Sequence, residues 1–349
     1  MREEPAQPRA RSSARDSHLN NFDLIRILAA TQVLIFHTIH VLQLSTPFWL
    51  MPLANFPGVT IFFVVSGYLV SSSYERSKSP ADYFRKRFLR IYPGLWACLV
   101  LTVIVATAFG FSFLRFSAVT WFVAQLAGVI YTPSFLSGFG FGSYNGSLWT
   151  IPIELQFYCL VPITYFLARR TGSANRAFIV IFVAFTLIAL FAAWWMPNMG
   201  SDRETIVEKL FRYSFVPQFF LFLAGVVLQR IGARNSPVIY GKAFFWIAAY
   251  LLFCHFVQAP LISPVLSSLL LAVCIISIAY TLPNLANTLL RGNDISYGVY
   301  IYHGLILNIV VSLQLRANLG YVLFVQVLAC MLGYLSWILV ERRFLRKKN

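Results

Sequence analysis

The chain has 349 residues, 58% of them hydrophobic and 11% charged, against roughly 45–50% and 25% in soluble domains. With a mean hydropathy of +0.70, this excludes a single apolar anchor on a soluble domain and calls for many segments of about 20 residues, each crossing a bilayer core of about 30 Å as helix. The net charge of +16 does not point to nucleic acid, because the basic residues fall in short loops between apolar runs, where membrane topology alone puts them.

From the N-terminus, residues 1–20 are rich in Pro, Ser, Ala, Arg and Glu and are expected to form a disordered cytoplasmic tail. A membrane domain over 21–344 and a basic cytoplasmic tail at 345–349 follow. No cleavable signal is expected, since the first apolar run is longer than a signal-peptide core. Continuously apolar runs occupy 24–44, 57–74, 91–112, 119–135, 147–168, 176–196, 213–230, 243–260, 263–283, 294–314 and 321–340. Lipid offers the backbone no hydrogen-bond partners, so such runs are helical. The expected fold is all-α, a polytopic transmembrane bundle of one domain.

Charge decides whether the short fourth run crosses. If it does not, and the N-terminus is inside, only Arg115, Arg203, Lys209, Arg212 and Arg316 of the 28 Lys and Arg lie outside. If it does cross, the later loops change sides and the bias disappears. The positive-inside rule selects the first arrangement: about ten spans, both termini cytoplasmic, and 119–135 as a re-entrant or interfacial helix on the outer side. The five cysteines, Cys98, Cys159, Cys254, Cys274 and Cys330, lie inside apolar runs without metal-ligand spacing. They read as small buried hydrophobes, and no metal site is expected.

An ionisable group inside a bilayer costs about 2.5–3.5 kcal/mol on insertion scales and is by default a site candidate. Glu154 lies well inside an apolar run, whereas the other acidic residues fall in loops, tails or helix ends. A structural hydrogen bond is the plain alternative, although Asn or Gln would make it at lower cost. On the first run, Arg26 and His37 are 11 residues apart, which is three turns and about 16 Å along one helix face. One face thus presents a cation at the inner interface and a titratable ring beyond the midplane. At the mouth of the third run stand Arg85, Lys86, Arg87 and Arg90. Paired guanidiniums suit phosphate oxygens, while topology anchoring and lipid headgroups explain the same charges equally simply. His255 reads as structural, and His303 is open between structure and function.

Taken in order, these residues resemble the acyltransferase-3 family of polytopic membrane acyltransferases, which modify O-antigens, exopolysaccharides, Nod factors and some antibiotics. The matching motifs are Asp23-x-x-Arg26-x10-His37, the run from Gly58 to Gly67, and Arg87-x-x-Arg90-x-x-Pro93. They continue with Ser147-x-Trp149-x4-Glu154-x3-Tyr158 and Ser296-x3-Tyr300-x-x-His303, and Glu341 closes the last helix. The similarity runs from about Asn21 to Phe344. Ile27 stands where Gly often follows the first motif's Arg, and Pro57 precedes Gly58 where many members differ; neither touches an ionisable group.

The resemblance implies an O-acetyltransferase with acyl-coenzyme A, usually acetyl-CoA, as cytoplasmic co-substrate, no permanently bound cofactor, and a carbohydrate or glycolipid hydroxyl outside as acceptor. It implies a multi-pass protein of the bacterial cytoplasmic membrane, whose partners are donor, acceptor and lipid rather than nucleic acid. Arg87 and Arg90, with Arg85 and Lys86, are expected to hold the donor's phosphates. His37, Glu154 and Arg26 are expected to form the catalytic set, with His37 as general base or as acylated nucleophile and Glu154 orienting its ring. Trp149, Tyr158, Tyr302 and His303 are the candidates for the acceptor side. A proton-coupled transporter or flippase would also use intramembrane His and Glu, but the sequence shows no inverted repeats, and its cations cluster at one mouth.

Overall fold

The computed structural model describes residues 20–345, apart from 197, 202, 261, 316 and 317. The expected tails at 1–20 and 345–349 therefore lie almost wholly outside the described residues. Every regular element described is a helix. Six are long and apolar enough to span a membrane, and five are shorter apolar helices; together they coincide one for one with the eleven apolar runs.

We number these α1 (Phe22–Val41), α2 (Gly58–Glu75), α3 (Pro80–Ala108), α4 (Phe116–Leu126), α5 (Thr150–Arg169) and α6 (Ala174–Trp195). There follow α7 (Phe219–Arg230), α8 (Ala243–Phe256), α9 (Ser263–Ala279), α10 (Ser296–Ser312) and α11 (Gly320–Ser336). The last continues through a π turn at Trp337–Glu341 into Arg342–Leu345.

Local chemistry explains the boundaries. Ser79 caps α3 by accepting from the Asp82 backbone N–H at 3.2 Å, and Pro80 occupies the first helical position, where its missing N–H costs nothing. Asn21 ties the start of α1 to the loop after α9: its amide donates to the Thr281 carbonyl at 2.8 Å and its oxygen accepts from Ala286 N–H at 2.9 Å. Small residues set the closest crossings. A Cβ on Gly67 would stand 1.9 Å from the Phe222 carbonyl oxygen, and one on Gly225 would stand 2.1 Å from that of Val64. Helices α2 and α7 therefore touch backbone to backbone, the contact that small residues permit in membranes, where lipid is as apolar as leucine and drives no burial. Gly298 and Gly333 do the same for α10 and α11. On the outside, α6 leaves Val180, Leu187 and Trp194 exposed, as a helix facing hydrocarbon does.

Polar contacts show which helix ends lie together. Asp294, just before α10, receives Arg26 from the second turn of α1 and Arg90 from α3. A Cβ on Gly94 of α3 would lie 3.5 Å from the Glu341 carboxyl carbon, so the chain's C-terminal helix ends where α1 begins. At 11 residues, α4 is about 16 Å long, half a bilayer core. It starts beside the far end of α3 and runs inward until the Leu126 and Ala127 carbonyls accept from Trp96 and Tyr92 of α3. Trp96 is about 18 Å from the end of that helix. The chain then returns, and Gly140 N–H meets Ser312 Oγ at the far end of α10, opposite Asp294. It dips again to Asn145, whose amide donates to the Ile301 carbonyl at 2.8 Å. Residues 116–140 thus turn back to the end of the bundle from which they entered, as expected of a run that does not cross, before residues 141–149 lead down into α5.

Candidate active site

The site is a series of spaces along the bundle axis. At the end where α1 begins and the C-terminal helix ends, Ser73, Arg76, Arg85, Lys86, Arg87 and Arg90 edge an opening of about 360 Å³. Its cations are not equally committed. Lys86 is ion-paired to Asp82 at 2.5 Å and donates to Ser77 at 3.0 Å. Arg87 donates to Ser73 Oγ at 3.1 Å and lies 5.6 Å from the Tyr158 ring centroid, while its buried Nε meets no acceptor. A buried guanidinium N–H without a partner is costly, and an anion entering this mouth would supply one.

Arg87 and Arg90 also line the next space inward, a narrow cavity of about 90 Å³. Its polar walls include Arg26, Ser66, Thr150, Glu154 and Tyr158. Glu154 accepts from Ser66 Oγ at 3.2 Å and from the Tyr158 hydroxyl one helical turn on. At the cavity's edge Arg26 and Arg90 converge on one oxygen of Asp294, at 2.6 and 2.5 Å, with all three side chains at most 17% exposed. The second Asp294 oxygen accepts from Ser296 Oγ at 2.5 Å.

Tyr300 closes the cavity's far wall. Its hydroxyl is 2.7 Å from Thr150 Oγ, and its ring lies edge-on to His303, 5.9 Å between centroids. His303 in turn holds His37: Nδ1 of His37 and Nε2 of His303 are 3.0 Å apart. Beyond them, at the end opposite the basic mouth, a groove of about 950 Å³ opens between residues 127–146, the start of α5 and the short helix Ile206–Arg212. Tyr131, Asn145, Trp149, Lys209 and Tyr213 line it, with Trp149 and Tyr213 meeting edge to face at 5.8 Å.

The structure therefore gathers Arg26, Arg87, Arg90, Glu154 and Tyr158 around one cavity and places Trp149 in the groove at the opposite end. It separates Glu154 from the ring it was expected to orient, since the hydrogen-bond partner of His37 is His303. Tyr302 turns to Ser336 Oγ at 3.4 Å on α11, away from the groove, and Tyr158 lines the cavity behind the basic mouth instead. Sequence reasoning missed Asp294. It stands at a helix end, where a carboxylate normally meets water, and only the fold reveals it as 7% exposed between two arginines. The one available signal was its place two residues before the Ser296 motif. Glu341 is 1% exposed, with one carboxyl oxygen bonded to Ser336 at 2.9 Å. The π turn that carries it is a feature frequent at functional sites. Of the cysteines, Cys98 and Cys274 are buried as expected, whereas Cys159 faces outward.

The chain is similar to known proteins over most of its length. The family profile described as an acyltransferase domain matches residues 19–341. Nodulation protein 10 of Rhizobium leguminosarum bv. viciae is 32% identical, covering 93% of each chain. The O-acetyl transferase of Shigella phage Sf6 is 27% identical over 95% of this chain and 97% of its own. A peptidoglycan O-acetyltransferase of Listeria monocytogenes is 26% identical over 65% of this chain and 36% of that longer protein. No solved structure matches.

Proposed function

The chain belongs to the acyltransferase-3 family of membrane O-acyltransferases, and from that premise we propose that it carries an acyl group across the bilayer's polarity step. The donor is a cytoplasmic acyl-coenzyme A, in the simplest case acetyl-CoA, and the acceptor is a carbohydrate hydroxyl on the outer side. The observation that carries this reading is the continuity of the basic mouth, through Arg87 and Arg90, with a cavity whose far wall, Tyr300, touches the histidine pair.

The donor's phosphates sit at the mouth against Arg87, Arg85 and Lys86, as charge-assisted hydrogen bonds favour. Arg90 shapes the passage while it remains bound to Asp294. The thioester arm threads the cavity towards His37. There the acceptor oxygen attacks the thioester carbonyl carbon, the C–S bond breaks, and the thiolate leaves with coenzyme A. His37 takes the hydroxyl proton and returns it to the thiolate. In the covalent variant the ring nitrogen attacks the thioester carbonyl first and expels the thiolate as the C–S bond breaks; the sugar oxygen then displaces the imidazole while its proton passes to the thiolate. Both variants need a lone pair on His37. The outer groove suits a sugar, with Trp149 and Tyr213 as flat apolar walls and Asn145 and Lys209 as hydrogen-bonding groups. Three relatives whose names specify nodulation, O-acetyl transfer and peptidoglycan O-acetylation support a saccharide acceptor.

The test is transfer of label from acyl-coenzyme A to a saccharide by the purified protein, with the donor KM measured in Arg87→Ala. Charge-assisted bonds contribute about 1.5–3 kcal/mol each, so a KM raised about tenfold or more at unchanged melting temperature is expected. Unchanged donor KM would return Arg87 to topology anchoring, and absence of any transfer would remove the proposal.

Orientation follows from the same reading, with the basic mouth and both termini cytoplasmic. Single cysteines introduced at 115, 140 and 205 are expected to react with an impermeant reagent applied from outside, and those at 80, 172 and 236 to remain unlabelled. Outside labelling at 236 would mean that α4 spans the bilayer.

A further inference from the structure

Glu154 is left without a role once His37 is seen to pair with His303. It lies half-buried on α5 between Thr150 and Tyr158, and all three line the cavity behind the basic mouth. At four-residue spacing they share one helix face, each about 6 Å from the next along the axis. Their contacts order the cavity. Tyr158 lies against the Arg87 guanidinium at the mouth, 5.6 Å from its ring centroid. Thr150 meets the Tyr300 hydroxyl at 2.7 Å, at the far wall beside His303. Glu154 stands between the two levels. Ser66 Oγ, at 3.2 Å, and the Tyr158 hydroxyl both donate to its Oε1. Its Oε2 receives neither bond and is not enclosed by protein. The cavity's arginines are engaged elsewhere, Arg26 and Arg90 by Asp294 and Arg87 by Ser73.

We propose that Glu154 binds the donor: its Oε2 accepts a hydrogen bond from an amide N–H on the pantetheine arm of acyl-coenzyme A. An uncharged amide would brace Ser66 and Tyr158 equally well and at lower cost in a bilayer, so the charge answers to the second oxygen. A carboxylate only accepts. The remaining walls include Val59, Phe62, Leu69 and Ile151, so the occupant itself brings the N–H or O–H that meets this oxygen. The space is narrow, about 90 Å³, and suits a thin chain passing lengthwise. The pantetheine arm is such a chain, and its last amide N–H is separated from the sulfur by only two methylenes. With the phosphates at Arg87 and the thioester at the Tyr300 wall, that N–H falls one turn short of Thr150, at the level of Glu154. The saccharide enters from the opposite groove, which meets α5 through Pro152, Leu155 and Gln156 on a different face of the helix.

This inference rests on the reading of acyl-coenzyme A as donor, and the test keeps the two apart. Binding of coenzyme A to the purified full chain is measured by isothermal titration calorimetry, beside an analogue with a methylene group in place of the amide N–H nearer the sulfur. The wild type is expected to bind the analogue about tenfold or more weakly, the contribution of one charge-assisted hydrogen bond. No variant has to fold for that comparison. Glu154→Gln keeps an oxygen for Ser66 and Tyr158 but turns an NH2 group to the cavity. It is expected to bind coenzyme A about tenfold or more weakly than wild type and to bind coenzyme A and analogue alike. Its kcat at saturating donor should stay within about threefold of wild type, as for loss of binding made equally in ground and transition states. Equal binding of coenzyme A and analogue by the wild type would overturn the proposal, as would undiminished coenzyme A binding by Glu154→Gln. So would a kcat lowered about 100-fold at normal donor affinity, which would place Glu154 in the chemical step. Wild-type protein that binds no coenzyme A would remove the donor reading, and this inference with it.

Discussion

Asp294→Ala is expected to be among the most destabilising single substitutions in the chain, at about 3–5 kcal/mol. That is the usual cost of removing one partner from a buried ion cluster. Arg26 and Arg90 reach the same carboxylate oxygen at 2.6 and 2.5 Å, and neither is more than 17% exposed. Without the carboxylate, two guanidiniums remain side by side, away from water and mutually repelling. The three residues join α1, α3 and the entry to α10, so the loss acts on helices that have no sequence connection. The expected readout is a sharply lowered melting temperature in detergent and a broadened size-exclusion peak. Arg26→Met with Arg90→Met in the same background should restore much of the stability, because removing the whole cluster removes the uncompensated charge. An Asp294→Ala protein that melts like wild type would show that the carboxylate neutralises nothing. The cluster also bears on Arg26. Held by Asp294 about 16 Å along α1 from His37, it fixes the position of the helix that carries the histidine.

The elements were legible in the sequence because the bilayer makes them so. Each run that had to satisfy its backbone internally announced itself by composition, and the eleven runs became eleven helices. The run expected not to cross, 119–135, was legible for a different reason: the distribution of Lys and Arg depends on how many crossings precede them. The structure adds how deep it goes, to Tyr92 and Trp96.

The site was only partly legible. Arg26 and His37 share a helix face by spacing, and the cations of α3 cluster in sequence, so both could be found locally. The partner of His37 could not. His303 is 266 residues away, and nothing in either motif says which of two intramembrane polar groups, Glu154 or His303, meets the ring. Asp294 stayed hidden because position at a helix end usually means solvent. Gly67 and Gly225 looked like ordinary membrane glycines until two helix backbones were seen in contact through them.

His37→Gln tests the central claim most directly, and it carries the largest expected effect on activity. Glutamine keeps much of the size and hydrogen-bonding capacity of histidine but has no ring nitrogen that can take a proton or an acyl group. General-base or nucleophilic work by histidine contributes about 10²–10⁴ in rate. A structural polar contact in a membrane bundle contributes only about 0.6 kcal/mol on average. The measurement is the initial rate of label transfer from acyl-coenzyme A to a saccharide acceptor by purified wild type, His37→Gln and His255→Ala, with melting temperatures recorded on the same samples. His255 lies exposed at the end of α8 and serves as the control. The expected result is transfer at least 100-fold slower in His37→Gln, near-normal transfer in His255→Ala, and melting within a few degrees of wild type in both. Near-normal transfer by a stable His37→Gln protein would contradict the account at its centre.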